Sequence, residues 1–238
     1  MRQQPEQQAP PVQRLRVRYA KRGRLRFTSH RDFSRAFERA VFRARIPMAY
    51  SSGFNPHPRI SYAGAAPTGS ASEAEYLELA LAEVLVPADV HVLLDESLPA
   101  GLDVLEVVES PGGSLSDLLE ASRWRIDLDA DIATTGNAVL RFLAAEEAVV
   151  ERMTKKGMRA FDARAAVVSL AATTESSRAS ALDVVLRHGT PSVRPDDVLR
   201  GLAVVADLDA GEAPLMTRLS QGPLSASGEV GDPLAARA

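Results

Sequence analysis

The sequence predicts an α+β protein of two tandem ferredoxin-like (βαββαβ) domains with antiparallel sheets, and three features predict it. Period-two and helical apolar patterns follow one another as strand, helix, strand, strand, helix, strand across residues 14–110. The stretch from Pro111 to Ser122, with its Gly112-Gly113 pair, then interrupts the pattern, and a similar cycle of elements occupies 122–221. With 238 residues, 45% of them hydrophobic and 25% charged, the chain is long enough to bury a core in each half.

The elements are justified in turn by local chemistry. Leu15, Val17 and Tyr19 alternate with Arg16 and Arg18; beyond the turn-like Lys21-Arg22-Gly23, Leu25 and Phe27 alternate with Arg24 and Arg26. This reads as a basic strand or hairpin with arginines on one face and apolar residues on the other. Ser29 as N-cap and Asp32 three residues later open a helix. Its apolar stripe is Phe33, Ala36, Phe37, Ala40, Val41 and Ala44, while Arg31, Arg35, Arg39 and Arg43 recur every four residues on another face. Pro47 and the segment SSGFNPHPRI (51–60) end the helix in a stiff loop, because Pro56 and Pro58 set φ and push Asn55 and His57 into extended geometry. Strands at 59–64 and 75–82, a helix at 88–98 opened by Pro87, and a strand at 102–109 complete the first domain.

In the second domain the pattern gives strands at 122–128, 147–153, 160–172, 181–187 and 214–219, with helices at 132–146 and after Pro195. Residues 111–121 read as a linker. The Gln/Pro-rich start (1–13) and the Gly/Ser/Pro/Ala-rich end (222–238) have too few large apolar residues to pack and are expected as disordered tails.

Composition narrows the function classes. The chain has no cysteine, which excludes disulfides, thiolate zinc sites, iron–sulfur clusters and a cysteine nucleophile; neither a metal nor a cofactor is expected. It has no apolar run of membrane-spanning length, and residues 1–13 lack the apolar core of a signal peptide, so a cytoplasmic protein without membrane contact is expected. The net charge of -3 hides a segregation. Residues 1–60 carry 14 Arg and Lys against three acids (Glu6, Asp32, Glu38), or +11, which leaves -14 for the remainder. The 25 arginines against three lysines show a compositional bias, but such a bias does not segregate charge. A basic block beside an acidic one is the footprint of a polyanion site, with RNA as the expected partner; the alternatives are an ordinary solvated surface or a protein-interaction subunit whose basic face docks on an acidic partner.

The residues that would carry this function follow from the pattern. Arg16, Arg18, Arg24 and Arg26 on the basic strand and Arg31, Arg35, Arg39 and Arg43 on the helix are candidates for phosphate contacts. So is Arg59. In the loop, Gly53 gives a turn that exposes backbone N–H groups, Phe54 or Tyr50 offers a face for an unpaired base, and Asn55 and His57 supply polar arms. A second position for Phe54, plugged into the core, is equally open. Lys155, Lys156 and Arg159 around Gly157 form a basic hairpin tip that would extend the track. His30 and His57 are the acid–base candidates if they meet in space, which would make the chain a metal-independent endoribonuclease. Without such a meeting they bond backbone groups or phosphate, and the chain is a binding or adaptor protein.

The motifs FTSHRD (27–32), YSSGFNPHPRI (50–60) and the pair Glu75-Tyr76, with weaker matches at Asp162-Ala163-Arg164 and Val193-Arg194-Pro195, resemble the radical-SAM-associated domain of unknown function over residues 14–205. The resemblance implies an RNA-linked or translation-linked role and a radical SAM protein or a ribonuclease E/G family protein as partner. It implies no assigned reaction. Any radical SAM cluster would have to belong to that partner, since this chain has no cysteine to hold one.

Overall fold

The computed structural model describes residues 7–154 and 157–235. They form a mixed α+β structure with four α-helices and antiparallel strand pairing. Two compact units divide the chain: one runs to Asp117 and also takes in Leu234, and the other spans Leu118–Pro233.

The first unit contains β1 (Gln13–Lys21), α1 (His30–Arg43), β2 (Ile60–Ala63), β3 (Ala71–Leu81), α2 (Pro87–Ser97) and β4 (Val104–Glu109). Its strands lie in the order β4-β1-β3-β2. The helix forms where the sequence places its cap: Ser29 Oγ accepts from the Asp32 amide at 3.2 Å and donates to the Asp32 carboxylate at 2.7 Å. The apolar stripe of α1 buries Phe33, Phe37, Ala40 and Val41 with Leu15, Val17 and Tyr19 of β1, Leu77, Leu79 and Leu81 of β3, and Val90 and Leu94 of α2. Each fully buried side chain of this size is worth about 1.5–3 kcal/mol of transfer free energy. Aromatic stacking adds to it, with Tyr19 and Phe33 parallel at 4.8 Å and Phe37 tilted 5.5 Å from Phe33.

Two expectations for this unit are corrected. Residues 23–27 do not pair with β1 as a hairpin; they form a short 3-10 turn (Gly23–Phe27) entered through Gly23 at φ 55°. Arg22 ties down its entry by pairing with both Glu73 and Asp103, which closes the chain before a second strand can run back. The arginines of β1 do not form an open phosphate-binding face either. β1 lies between two strands that place acids directly opposite its arginines: Arg16 faces Glu78 across β3, and Arg18 faces Glu106 across β4. Arg16 is only 2% exposed, and its guanidinium donates to the Gly112 and Gly113 carbonyls at 2.7 and 3.2 Å besides pairing with Glu78. The Gly112-Gly113 segment expected as linker is thus an acceptor for Arg16.

The second unit contains β5 (Ala121–Leu128), α3 (Ile132–Ala144), β6 (Val149–Thr154), β7 (Gly157–Asp162), β8 (Val167–Thr173), β9 (Ser180–Arg187), α4 (Pro195–Ala206) and β10 (Leu215–Gly222). Its main sheet runs β10-β5-β9-β8, and β6 and β7 pair with each other as a separate hairpin. The single strand expected at 160–172 is therefore two strands on different sheets. Asp162 divides them: its carboxylate accepts from the backbone amides of Ala148, Arg164 and Ala165 at 2.8, 2.8 and 3.2 Å, which bends the chain into a turn. Residues 223–231, expected within a disordered tail, are folded. Glu120 accepts from the Leu224 amide at 2.8 Å, Leu224 bridges to Val230, and Gly222 lies so near the Gly231 carbonyl that a Cβ there would stand 2.0 Å from its oxygen.

His188, after β9, joins a chain of hydrogen bonds in the core of this unit. Its Nδ1 lies 2.7 Å from the Leu119 carbonyl and its Nε2 3.0 Å from Ser122 Oγ, which in turn accepts from Trp124 Nε1 at 2.8 Å. Burial, assisted by the positive charge of Arg218, holds the imidazole below its ordinary value of 6.5. The unfolded chain then binds the proton more readily than the folded one, so His188 contributes stability in full above pH 6.5 and loses it as the pH falls below that value. Melting temperature is expected to drop between neutral and mildly acidic pH, and His188→Gln to flatten that slope while lowering stability at neutral pH. An equally steep slope in the variant would assign the acid lability to other groups.

Candidate nucleic-acid interface

Most of the arginines between residues 14 and 45 fall into two populations in the folded chain. Arginines of β1 and its end are engaged: Arg14 and Arg16 pair with Glu78, Arg18 with Glu106, and Arg22 with Glu73 and Asp103. Most arginines of the 3-10 turn, of α1 and just beyond it are not. Among the described residues Arg24, Arg31, Arg35, Arg39 and Arg45 are exposed and make no ion pair. Arg26 lies over the Phe27 ring at 4.6 Å, and Arg43 caps α2 by donating to the Ser97 carbonyl at 3.2 Å. Like charges four residues apart on a helix destabilise it by about 0.2–0.5 kcal/mol per pair, so this face is held apart from its preferred electrostatic state until an anion meets it.

An aromatic residue sits within that basic face. At 3.6 residues per turn Phe42 falls between the meridians of Arg35 and Glu38, and it is 81% exposed. Arg35, Glu38, Arg39, Phe42 and Arg43 line one shallow concavity, and Glu38 and Phe42 also border a groove of about 560 Å³ closed by Arg45, Met48, Tyr50 and Pro58. The pattern reading missed Phe42, Glu38 and Arg45 as site residues. The available signal was an aromatic side chain lying off the apolar stripe and on the arginine side of the helix.

The opposite wall of the groove is the 48–58 segment, which folds back on itself as a narrow arm. Met48 bridges to Leu81 and Tyr50 to Pro58; the Ser51 amide donates to the His57 carbonyl at 2.9 Å, and the His57 amide to Ser51 Oγ at 3.0 Å. Arg59 spends its Nε on the Tyr50 carbonyl at 3.0 Å, bracing the base of the arm. At the tip Gly53 takes φ 132°, and Phe54 is 71% exposed beside exposed Asn55, so Phe54 does not plug the core.

The two candidate catalytic histidines are not brought into contact: no hydrogen bond or ring contact joins His30 to His57 among the described residues. His30, at the first position of α1, packs edge-on against Tyr62 at 5.2 Å. Burial pushes the Tyr62 phenol up to about 12, with the Glu38 carboxylate adding to the rise, so that ring stays neutral. The His57 imidazole is exposed on the arm. Arg159 is exposed on β7, while Lys155 and Lys156 lie outside the described residues. Glu75 of the Glu75-Tyr76 pair is buried and accepts from the Ala66 amide at 3.2 Å, which anchors the loop between β2 and β3.

No helix among the described residues is long and apolar enough to cross a membrane. No curated protein matches the chain. A family model described as an uncharacterised protein conserved in bacteria (DUF2344) matches residues 14–195, which covers both units from β1 to the start of α4; the chain belongs to that family.

Proposed function

We propose that the chain is an RNA-binding protein, acting as an adaptor in RNA modification, processing or translation, and that the basic face of α1 with the 48–58 arm is its contact surface. One observation carries the reading: among the described residues, exposed Arg31, Arg35 and Arg39 of α1 and Arg24 and Arg45 on its flanks make no ion pair, although the same unit supplies acids to every arginine of β1. An exposed arginine can stand solvated without a partner, but five of them on and beside one helix make a concentrated positive face. A phosphate-binding surface needs the first set left open, because each Lys or Arg that meets a phosphate releases condensed counterions and gains affinity from it.

In this reading each unit is a ferredoxin-like domain. The strand orders β4-β1-β3-β2 and β10-β5-β9-β8, each with two helices between its strands, support that, with β6–β7 as an insertion in the second. A radical SAM or ribonuclease E/G protein would then supply the chemistry while this chain holds the RNA. The test is to isolate the full chain at low ionic strength. Nucleic acid that is degraded by ribonuclease, resists deoxyribonuclease and leaves the protein as salt is raised is the expected result. Isolation free of nucleic acid, with an acidic protein bound in its place, would overturn the reading.

A further inference from the structure

We propose that the groove between α1 and the 48–58 arm holds one unpaired base of single-stranded RNA, and that it selects bases carrying an exocyclic amino group. The inference rests on the RNA-binding reading and adds the substrate class.

The groove, at about 560 Å³, is within the range of small-ligand pockets. Its floor is apolar, formed by Val41, Ile46 and Met48, and its rims are the exposed rings of Phe42 and Tyr50. A large aromatic left in water beside unpaired arginines is a platform for stacking, and every base has a face for it once it leaves a helix. Paired bases have no such face free, so a duplex can use the arginines but not the rings.

Glu38 decides between kinds of occupant. It lies in the same groove, exposed, and makes no ion pair among the described residues although Arg35, Arg39 and Arg45 surround the site. A surface serving phosphate alone would be weakened by a carboxylate there, and an acidic peptide would meet it with like charge. An exocyclic amino group is a hydrogen-bond donor, and a carboxylate is the acceptor that reads it in cytosine. Phosphates flanking the base would then fall to Arg39 and Arg45, one on each side of Phe42 in the chain.

The experiment uses the full chain and fluorescently labelled oligocytidine, oligouridine and a cytidine–guanosine duplex of the same length, followed by anisotropy over a salt series. Oligocytidine is expected to bind roughly tenfold tighter than oligouridine, as one well-made base contact discriminates. Phe42→Ala is expected to weaken oligocytidine by about tenfold with the salt slope unchanged, since a stacked base is lost and no phosphate contact is. Glu38→Ala removes a negative charge, which favours every ligand, and removes the cytosine contact, which disfavours oligocytidine alone, so the informative quantity is the ratio of cytidine to uridine affinity, which should fall towards one. Salt-sensitive binding in which Phe42→Ala has no effect, or in which the wild-type ratio is already one, or in which duplex and single strand bind alike, overturns this inference and leaves the RNA-binding reading standing. Absence of binding by all three ligands overturns both.

Discussion

Replacement of Asp197 by Ala is expected to destabilise the second unit by about 3 kcal/mol or more, the usual cost of leaving one member of a buried ion pair without its partner. Asp197 is fully buried at the third position of α4 and holds three groups at once. It pairs with Arg152 of β6, accepts from the Arg194 amide at 2.8 Å, and reaches Arg200 at 3.4 Å one turn along the helix. The Ala variant leaves the half-buried Arg152 with the Ser192 carbonyl at 2.8 Å and the Phe161 ring at 4.9 Å, and leaves the start of α4 without its side-chain acceptor. Asp197→Asn keeps an oxygen for the Arg194 amide and loses the charge, so its cost should fall between wild type and Ala. Thermal unfolding of the three proteins measures it: a loss of roughly 10 °C is expected for Ala, and a shift of only a degree or two would show that Arg152 finds equivalent partners elsewhere.

Local signals were legible where one stretch of chain supplies all the parts. The Ser29 cap, the Asp32 reply and the Phe33–Phe37 stripe lie within nine residues and specify α1 without outside help. Arg16 was misread for the opposite reason. Its alternation with Leu15 and Val17 is a correct strand signal, but the partner that removes it from the surface, Glu78, is 62 positions away in sequence and comes opposite only through the β1–β3 register. The charge difference between the two parts of the sequence is real in composition, yet strand pairing cancels part of it in space, and among the described residues Arg24, Arg31, Arg35, Arg39 and Arg45 remain without an ion pair.

The turn at 23–27 and the break at Asp162 show a second limit. Alternation is a property of residue types, and it continues through a turn that a side chain holds in place, here Arg22 through Glu73 and Asp103, distant in sequence, or Asp162 through nearby backbone amides. The site was half legible: Tyr50, Phe54 and the arginine stripe follow from pattern. Phe42 shows in the pattern only as an aromatic off the apolar stripe; its role and that of Glu38 come from where the arm folds back, which begins at the Met48–Leu81 bridge.

The salt dependence of RNA binding by wild type and by Arg35→Glu with Arg39→Glu tests the central claim most directly. Both side chains are exposed on α1 and make no ion pair among the described residues, so the fold should change by no more than about 0.5 kcal/mol per site. Each phosphate contact contributes about 0.9 to the slope of log K against log salt. Loss of two contacts is therefore expected to reduce the slope by about 2 and, at 0.1 M salt, to weaken binding roughly fiftyfold. Two parallel lines, with the variant binding as tightly as wild type, would show that RNA does not meet this face and would contradict the account.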